Sequence, residues 1–322
     1  METSSSRRAL LLSLMLGMSA GAVLAQPLSA RPIRLVVPLP AGTATDLGAR
    51  VLGQHLSATL GQPVIVENKP GANGVIGAME VIKAAPDGHT LLFSSQSAIA
   101  TNVALVKNLP YDPLEAFSPI AGFGQTMHAL MVRTEFPAKT MQEFIDYAKK
   151  HSGRVMAGST TALTEIQIAT MNKMANIEVV PVPYKGVPAA INDLIGGSLD
   201  VVLVDLTNAI AHAKAGKIRP IAVTAVKRSS LVPDWPAISE TLPGFDFPAW
   251  VGLVGPRGIP ANVVNRLNAA SNNALGQPEV KARLATMGMT PLVITPEQLG
   301  SLISSDVAKW VRLAREANIQ PE

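Results

Sequence analysis

Four stretches of this chain share one arrangement: an apolar run, a short loop of small or hydroxyl residues, then the start of a helical pattern. They read PLPAGTATD (38–46), SSQSAIATN (94–102), AGSTTALTE (157–165) and VVLVDLTNA (201–209). Loops at the carboxyl ends of strands are where open α/β sheets bind ligands. The amides that open a following helix carry partial positive charge and suit an anion without any basic side chain. Each stretch singly is as well explained by a capped helix. Four together point to a binding cleft.

Sharper chemistries fail on spacing. Gly71, Gly74 and Gly77 give G-x-x-G-x-x-G, one residue off the dinucleotide fingerprint, and no G-x-x-x-x-G-K-[ST] occurs. His55, His89, His128, His151 and His212 are scattered, with no H-E-x-x-H. There is no G-x-S-x-G elbow and no cysteine. No catalytic residue, metal or cofactor is therefore expected, and disulfides are excluded.

The elements that must carry these loops alternate. Strand patterns over 33–38, 63–67, 90–93, 155–158, 179–183, 201–205, 221–224 and 250–256 are interleaved with helical ones. Helices are expected at 45–60, 75–85, 164–175, 187–195, 207–215, 261–275 and 278–287. Thr140 with Glu143, and Thr295 with Pro296 and Gln298, open two more as capping boxes. The class is α/β, with parallel pairing and right-handed crossovers. These eight strand candidates are many for one compact parallel sheet, so two lobes are expected, with a single doubly wound sheet as the alternative.

Composition narrows the partners. Hydrophobic residues make up 48% of 322 and charged ones 16%, enough for a large core. The formal charge is +4 and aromatics are 4%, which argues against nucleic acid. Residues 1–25 combine Arg7-Arg8, an apolar run too short to span a bilayer, and VLA before a cleavage point. A cleaved export signal is expected there, by the general or the twin-arginine route, followed by a soluble mature protein.

Order and number of motifs carry a resemblance. PIRLVVPLPAGTATD (32–46), VENKPGANGVIGA (66–78), AAPDGHTLLFSS (84–95), LPYDPLEAFSPI (109–120), VPYKGVPAAINDLIGGSLDVV (182–202) and KAGKIRPIAVT (214–224) resemble the Bug family. These are the extracytoplasmic solute receptors of tripartite tricarboxylate transporters. The resemblance implies a two-lobed, type II periplasmic binding fold. Each lobe would be a mixed, mostly parallel sheet flanked by helices, with the ligand cleft between lobes. Lobe one would span 26–126 and 248–322, and lobe two 127–247. It implies a periplasmic monomer that binds a small organic acid, a carboxylate or related carbonyl compound, closes by a hinge and delivers to a two-component membrane permease.

Carried over residue by residue, Leu39, Pro40, Ala41, Gly42 and Thr43 fall in the family's first ligand loop. Its amides and ordered waters hold a carboxylate. Asp46 matches too, or caps the helix. Ser95 and Ser97 fall in the second loop, Thr160 and Thr161 in the third. Asp205 matches an aspartate that could orient water or a ligand donor. Tyr184-Lys185-Gly186 match a strand end, as packing and turn. Leu39 and Thr43 depart from the usual phenylalanine and glycine. Glu165 stands where the family has histidine: either it caps its helix, or it faces a ligand group that donates hydrogen bonds. A periplasmic dehydratase or lyase using Glu165 or Asp205 as acid, or a sensor for a signalling partner, are the rival classes.

Overall fold

The computed structural model describes residues 31–316 and 321, so the expected signal over 1–25 lies outside the described residues. Strand β1 (Ile33–Val37) is buried on both faces, as a central parallel strand must be. Ile33, Leu35 and Val37 point into one core and Val36 into the other, the period of two. Beyond it Thr43 opens α1 (Ala44–Leu60), which Gly61 ends at φ +71°. Then come β2 (Val64–Asn68), α2 (Val75–Ile82) and β3 (Thr90–Ser95). A π-helical turn (Ser97–Thr101) leads into the short helices α3 (Asn102–Leu105) and α4 (Pro113–Ala116). Two long strands follow almost without a break, β4 (Phe117–Thr126) and β5 (His128–Arg133).

The middle of the chain repeats the alternation. It runs through α5 (Met141–Lys150), β6 (Val155–Ser159), α6 (Ala162–Ala175), β7 (Val179–Pro183), α7 (Val187–Gly196), β8 (Val201–Asp205), α8 (Leu206–Lys214) and β9 (Ile218–Val223). The chain then closes with β10 (Ala249–Pro256), α9 (Ala261–Gly276), α10 (Pro278–Thr286), β11 (Thr290–Pro291) and α11 (Pro296–Glu316). No described helix is long and apolar enough to cross a membrane.

Two sheets result, as the fold class requires. The first has the order β11-β4-β10-β3-β1-β2, the second β7-β6-β8-β5-β9. Pairs β1–β2, β1–β3, β6–β7 and β6–β8 are parallel; β10 and β5 run against their neighbours. Each sheet has a core on both faces. On the first, α1 and α9 cover Leu35, Phe93 and Phe123, while α2 and α11 cover Val36, Leu92 and Trp250. On the second, α5 and α6 cover Leu130 and Leu203, while α7 and α8 cover Met131 and Val202.

The last helix joins both assemblies. Leu299 and Ile303 pack with Trp250 and Val254 of the first sheet, whereas Trp310 and Leu313 pack with Phe144, Phe245 and Phe247 around the second. Between them Asp306, 3% exposed, accepts Trp250 Nε1–H at 2.7 Å. The Thr295 box is present in both directions: Gln298 N–H donates to Thr295 Oγ1 at 3.2 Å, and Thr295 N–H to Gln298 Oε1 at 2.9 Å.

Strands β4, β5 and β11 are absent from the strand patterns read from sequence. Pro119, Gly122 and Gly124 in β4 look like breakers. Here the glycines admit a close approach instead. A Cβ at Gly122 would run into the Leu292 carbonyl oxygen, and one at Gly124 would sit 3.0 Å from Leu284 and Met289. Glycine is what lets the 284–292 segment lie on the strand.

Gly122→Ala should therefore destabilise the fold by roughly 1–3 kcal/mol, because the obstacle is backbone and cannot step aside. Gly276→Ala, where an added methyl meets nothing within 4 Å, is the control and should be near neutral. Thermal unfolding of both variants beside wild type checks this; equal melting temperatures would refute it.

Candidate functional site

The topology gathers the four loops. Strands β1 and β3 run in the direction of β4, so their loops lie at the edge where β4 ends. Strands β6 and β8 run against β5, so theirs lie where β5 begins. Met127 alone separates β4 from β5. The loops thus crowd the two sheet edges that meet at this crossing. A hollow of about 420 Å³ beside the crossing, lined by Gln125, Met127, Lys227 and Thr290 among others, contains none of the predicted loop residues.

The first loop is held from beneath. Thr43 Oγ1 accepts Asp46 N–H at 3.3 Å and donates to the Pro40 carbonyl at 3.0 Å. Thr43 is therefore the cap of α1, and Asp46 is not. The Asp46 carboxylate, 2% exposed, accepts Gly42 N–H (2.9 Å), Asn68 Nδ2 (3.0 Å) and Arg50 Nε (3.2 Å). Asn68 also donates to the Leu39 carbonyl at 3.1 Å. Asp46 is thus an anchor under the loop, and Gly42, at φ +85°, spends its amide on that anchor. Leu39 packs on the first core. Pro40 and Ala41 are exposed. The Ala41 and Thr43 amides have no acceptor among the described residues.

In the second loop Ser95 Oγ donates to Ser97 Oγ at 3.4 Å, with Ser97 exposed at the start of the π-helical turn. Gln96 between them is 4% exposed, and its Oε1 has no partner. In the third loop the Thr160 and Thr161 amides both donate to Thr164 Oγ1, at 3.0 and 3.1 Å. Thr161 in turn caps α6 by accepting Thr164 N–H. These two amides are consumed locally. Glu165 is not the cap either: its carboxylate reaches back to accept Ser159 Oγ–H at 3.3 Å, at the end of β6.

Asp205 caps α8, accepting Asn208 N–H at 3.0 Å and Asn208 Nδ2 at 2.7 Å. Directly opposite it in register stands His128, the first residue of β5. His128 Nδ1 lies 3.0 Å from Gln167 Oε1 on α6. Burial pulls the His128 pKa down more strongly than Gln167 and the Asp205 charge raise it, which favours the neutral ring at pH 7. Gln167 is fully buried and its Nε2 has no partner. In the sequence His128 is one scattered histidine and Gln167 carries no signal of its own; 39 residues separate them, so no local pattern links the pair. Tyr184 is packing and turn, its N–H on the Ser159 carbonyl (2.7 Å) and its hydroxyl on Asp193 (2.6 Å).

Chemically the two edges differ. The first offers amide and hydroxyl donors; the second holds two carboxylates, Glu165 and Asp205, that take part in none of the described ion pairs. Among the described residues no cluster of three or more His, Asp or Glu could hold a metal ion.

Asp46 makes the anchor testable. Burial pushes its carboxyl up, but hydrogen bonds from Arg50, Gly42 and Asn68 outweigh that and hold it below the usual range. A carboxyl lowered by folding adds stability above its unfolded pKa, about 3.9, and loses it as pH falls through the folded value. Asp46→Asn should cost about 1–3 kcal/mol at neutral pH. The gap to wild type should be constant above pH ~5 and shrink below ~4. Denaturant unfolding across that range measures it; a gap that does not depend on pH would show that the charge is not what anchors the loop.

The chain is similar to known proteins over nearly its whole length. The family described as "Tripartite tricarboxylate transporter family receptor" matches residues 48–319. Protein BugT of Bordetella pertussis (strain Tohama I) is 32% identical over 305 residues, 92% of each chain. MatC of Rhodopseudomonas palustris, solved with bound malate, is 33% identical with a TM-score of 0.70, covering 88% of this chain and 99% of its own. The R. palustris protein Rpa4515, solved with adipate, is 29% identical with a TM-score of 0.76 over 91% and 99%. With two helix-flanked sheets and four small-residue loops at their meeting edges, this chain belongs to the tripartite tricarboxylate transporter receptor family.

Proposed function

We propose that this protein is the extracytoplasmic receptor of a tripartite tricarboxylate-type transporter, which captures a small organic acid and presents it to a two-component membrane permease. One observation carries the reading: the loops at the β1 and β3 ends contain donors and no cation. The Ala41 and Thr43 amides, at the positive end of α1, and the Ser95 and Ser97 hydroxyls would hold a carboxylate. Gly42 and Pro40 shape that loop, and Asp46 holds it. Thr160, Thr161, Glu165 and Asp205 would form the opposite wall. The malate and adipate bound by the two R. palustris relatives support an acid ligand.

On this reading the protein is a periplasmic monomer, exported behind a cleaved signal over 1–25, and it catalyses no reaction. Lobe one is 26–126 with 248–322, and lobe two 127–247. Sheet membership supports that division, since every strand of the second sheet lies between His128 and Val223. Ligand would bridge the lobes and shift an open–closed equilibrium about the crossing at Met127.

A thermal-shift screen of mono-, di- and tricarboxylates tests this. A true ligand at a hundred times its dissociation constant should add about 2.7 kcal/mol of stability. Small-angle scattering at saturation should then show a smaller radius of gyration. Binding without any contraction would argue for a rigid pocket.

A further inference from the structure

The wall formed by β6, β8 and β5 is the feature that the general reading does not explain. At the shared edge of these three strands stand Glu165, Asp205 and His128. Glu165 is half-buried, and among the described residues its carboxylate has one hydrogen-bond partner, the Ser159 hydroxyl at 3.3 Å. Asp205 faces Asn208, a neutral amide, at 2.7 Å. Carboxylates accept and do not donate, and each oxygen here has lone-pair capacity left over.

Arg133 and Arg219 of this sheet lie at its other end, where β5 finishes, and two further cations stand beyond its outer strands. Lys185 is exposed beyond β7, the outer strand on one side. Lys227 is exposed beyond β9, the outer strand on the other. Arg228, beside it, is bound in a fork by Glu240 at 2.7 and 2.8 Å. The centre of the wall therefore has two carboxylates that form no ion pair among the described residues. A second ligand carboxylate placed there would meet like charge.

Gln167 supplies an independent sign that this wall serves a ligand. It is fully buried on α6, two residues beyond Glu165, and its amide is turned to His128. Its Nε2 has no partner, and an unpaired buried amide group costs about 1–3 kcal/mol. Packing alone would favour an apolar side chain. What the glutamine does achieve is to fix the ring of His128, which keeps part of its surface open at the first residue after the crossing.

Resting on the carboxylate reading above, we infer that the ligand is a carboxylate whose other end donates hydrogen bonds, a hydroxyl or an ammonium group, and that Glu165 selects for it. The donors of the β1 and β3 loops take the carboxylate end. Glu165, with Asp205 beside it, takes the donor end. Gln167 is a positioning residue that acts through His128. A plain dicarboxylate satisfies the first edge and is repelled by the second.

Matched ligand series test this on the full mature protein. For chains of four, five and six carbons, the ω-hydroxy acid, the ω-amino acid, the dicarboxylate and the simple monocarboxylate would be titrated by calorimetry. At the best-fitting length, the hydroxy or amino acid should bind at least tenfold more tightly than the dicarboxylate; whichever of the two is tighter identifies the donor. Glu165→Gln keeps the shape and removes the charge, so the dicarboxylate should gain at least tenfold on the donor-bearing acid. A wild-type protein that prefers the dicarboxylate, or a ratio unmoved by Glu165→Gln, overturns the inference and leaves the carboxylate receptor standing. Absence of binding by every acid in the series overturns the receptor reading itself, and this inference with it.

Discussion

Everything at the site depends on how little chain separates β4 from β5. One residue, Met127, leaves no room for a loop, so the end of one sheet is tied directly to the beginning of the other. Strand direction does the rest. Because β1 and β3 run with β4, while β6 and β8 run against β5, loops from opposite sheets are delivered to a common place. Thr224, where the chain leaves β9 on its way to β10, braces the start of β5: its hydroxyl accepts His128 N–H at 3.0 Å and donates to His128 O at 3.2 Å. Gly288, at φ +66°, closes a third contact, since a Cβ there would lie 2.5 Å from Thr207 Oγ1.

The chemistry at these edges is built from backbone and short polar side chains. A charged lysine or arginine would hold an acid more strongly but would also hold almost any anion. Amides at a helix start are fixed in direction and need no reorganisation on binding. Their placement then falls to buried groups whose polar atoms bind within the loops. Asp46 does this on one side, by binding Gly42 and Asn68 together. On the other side Thr164 does it, drawing in two successive amides.

How much of this was legible in the sequence follows from range. Local signals read well: the Thr295 box, the end of α1 at Leu60 and β8 as VVLVD all stand where the pattern puts them. The cap residues were harder. Asp46 and Glu165 both sit in a first helical turn, where either could cap, and which residue does so depends on the loop's path. Thr43 and Thr161 took the role because they precede the first helical residue with extended backbone. Least legible was β4, whose glycines serve neighbours some 160 residues away, and HALMVR, which as a short apolar run carries no period that separates strand from helix. The His128–Gln167 pair and the partnerless Gln96 were hidden for the same reason: their meaning lies in contacts that only the fold creates.

Strand order in the first sheet also dictates a sequence of assembly. Strand β10 lies between β3 and β4, although more than a hundred residues of chain separate it from either. Until residue 256 has been made, that sheet has a gap at its centre: β3 has β1 on one side and nothing on the other, and β4 has no neighbour at all. The second sheet is one uninterrupted stretch from β5 to β9 and can pair as it emerges. Yet its core too is unfinished, because Trp310 and Leu313 come from the last helix. Contacts of such long sequence separation form late and slowly. A chain of this topology leaves the ribosome with both cores open, and its last twenty or so described residues are what complete them.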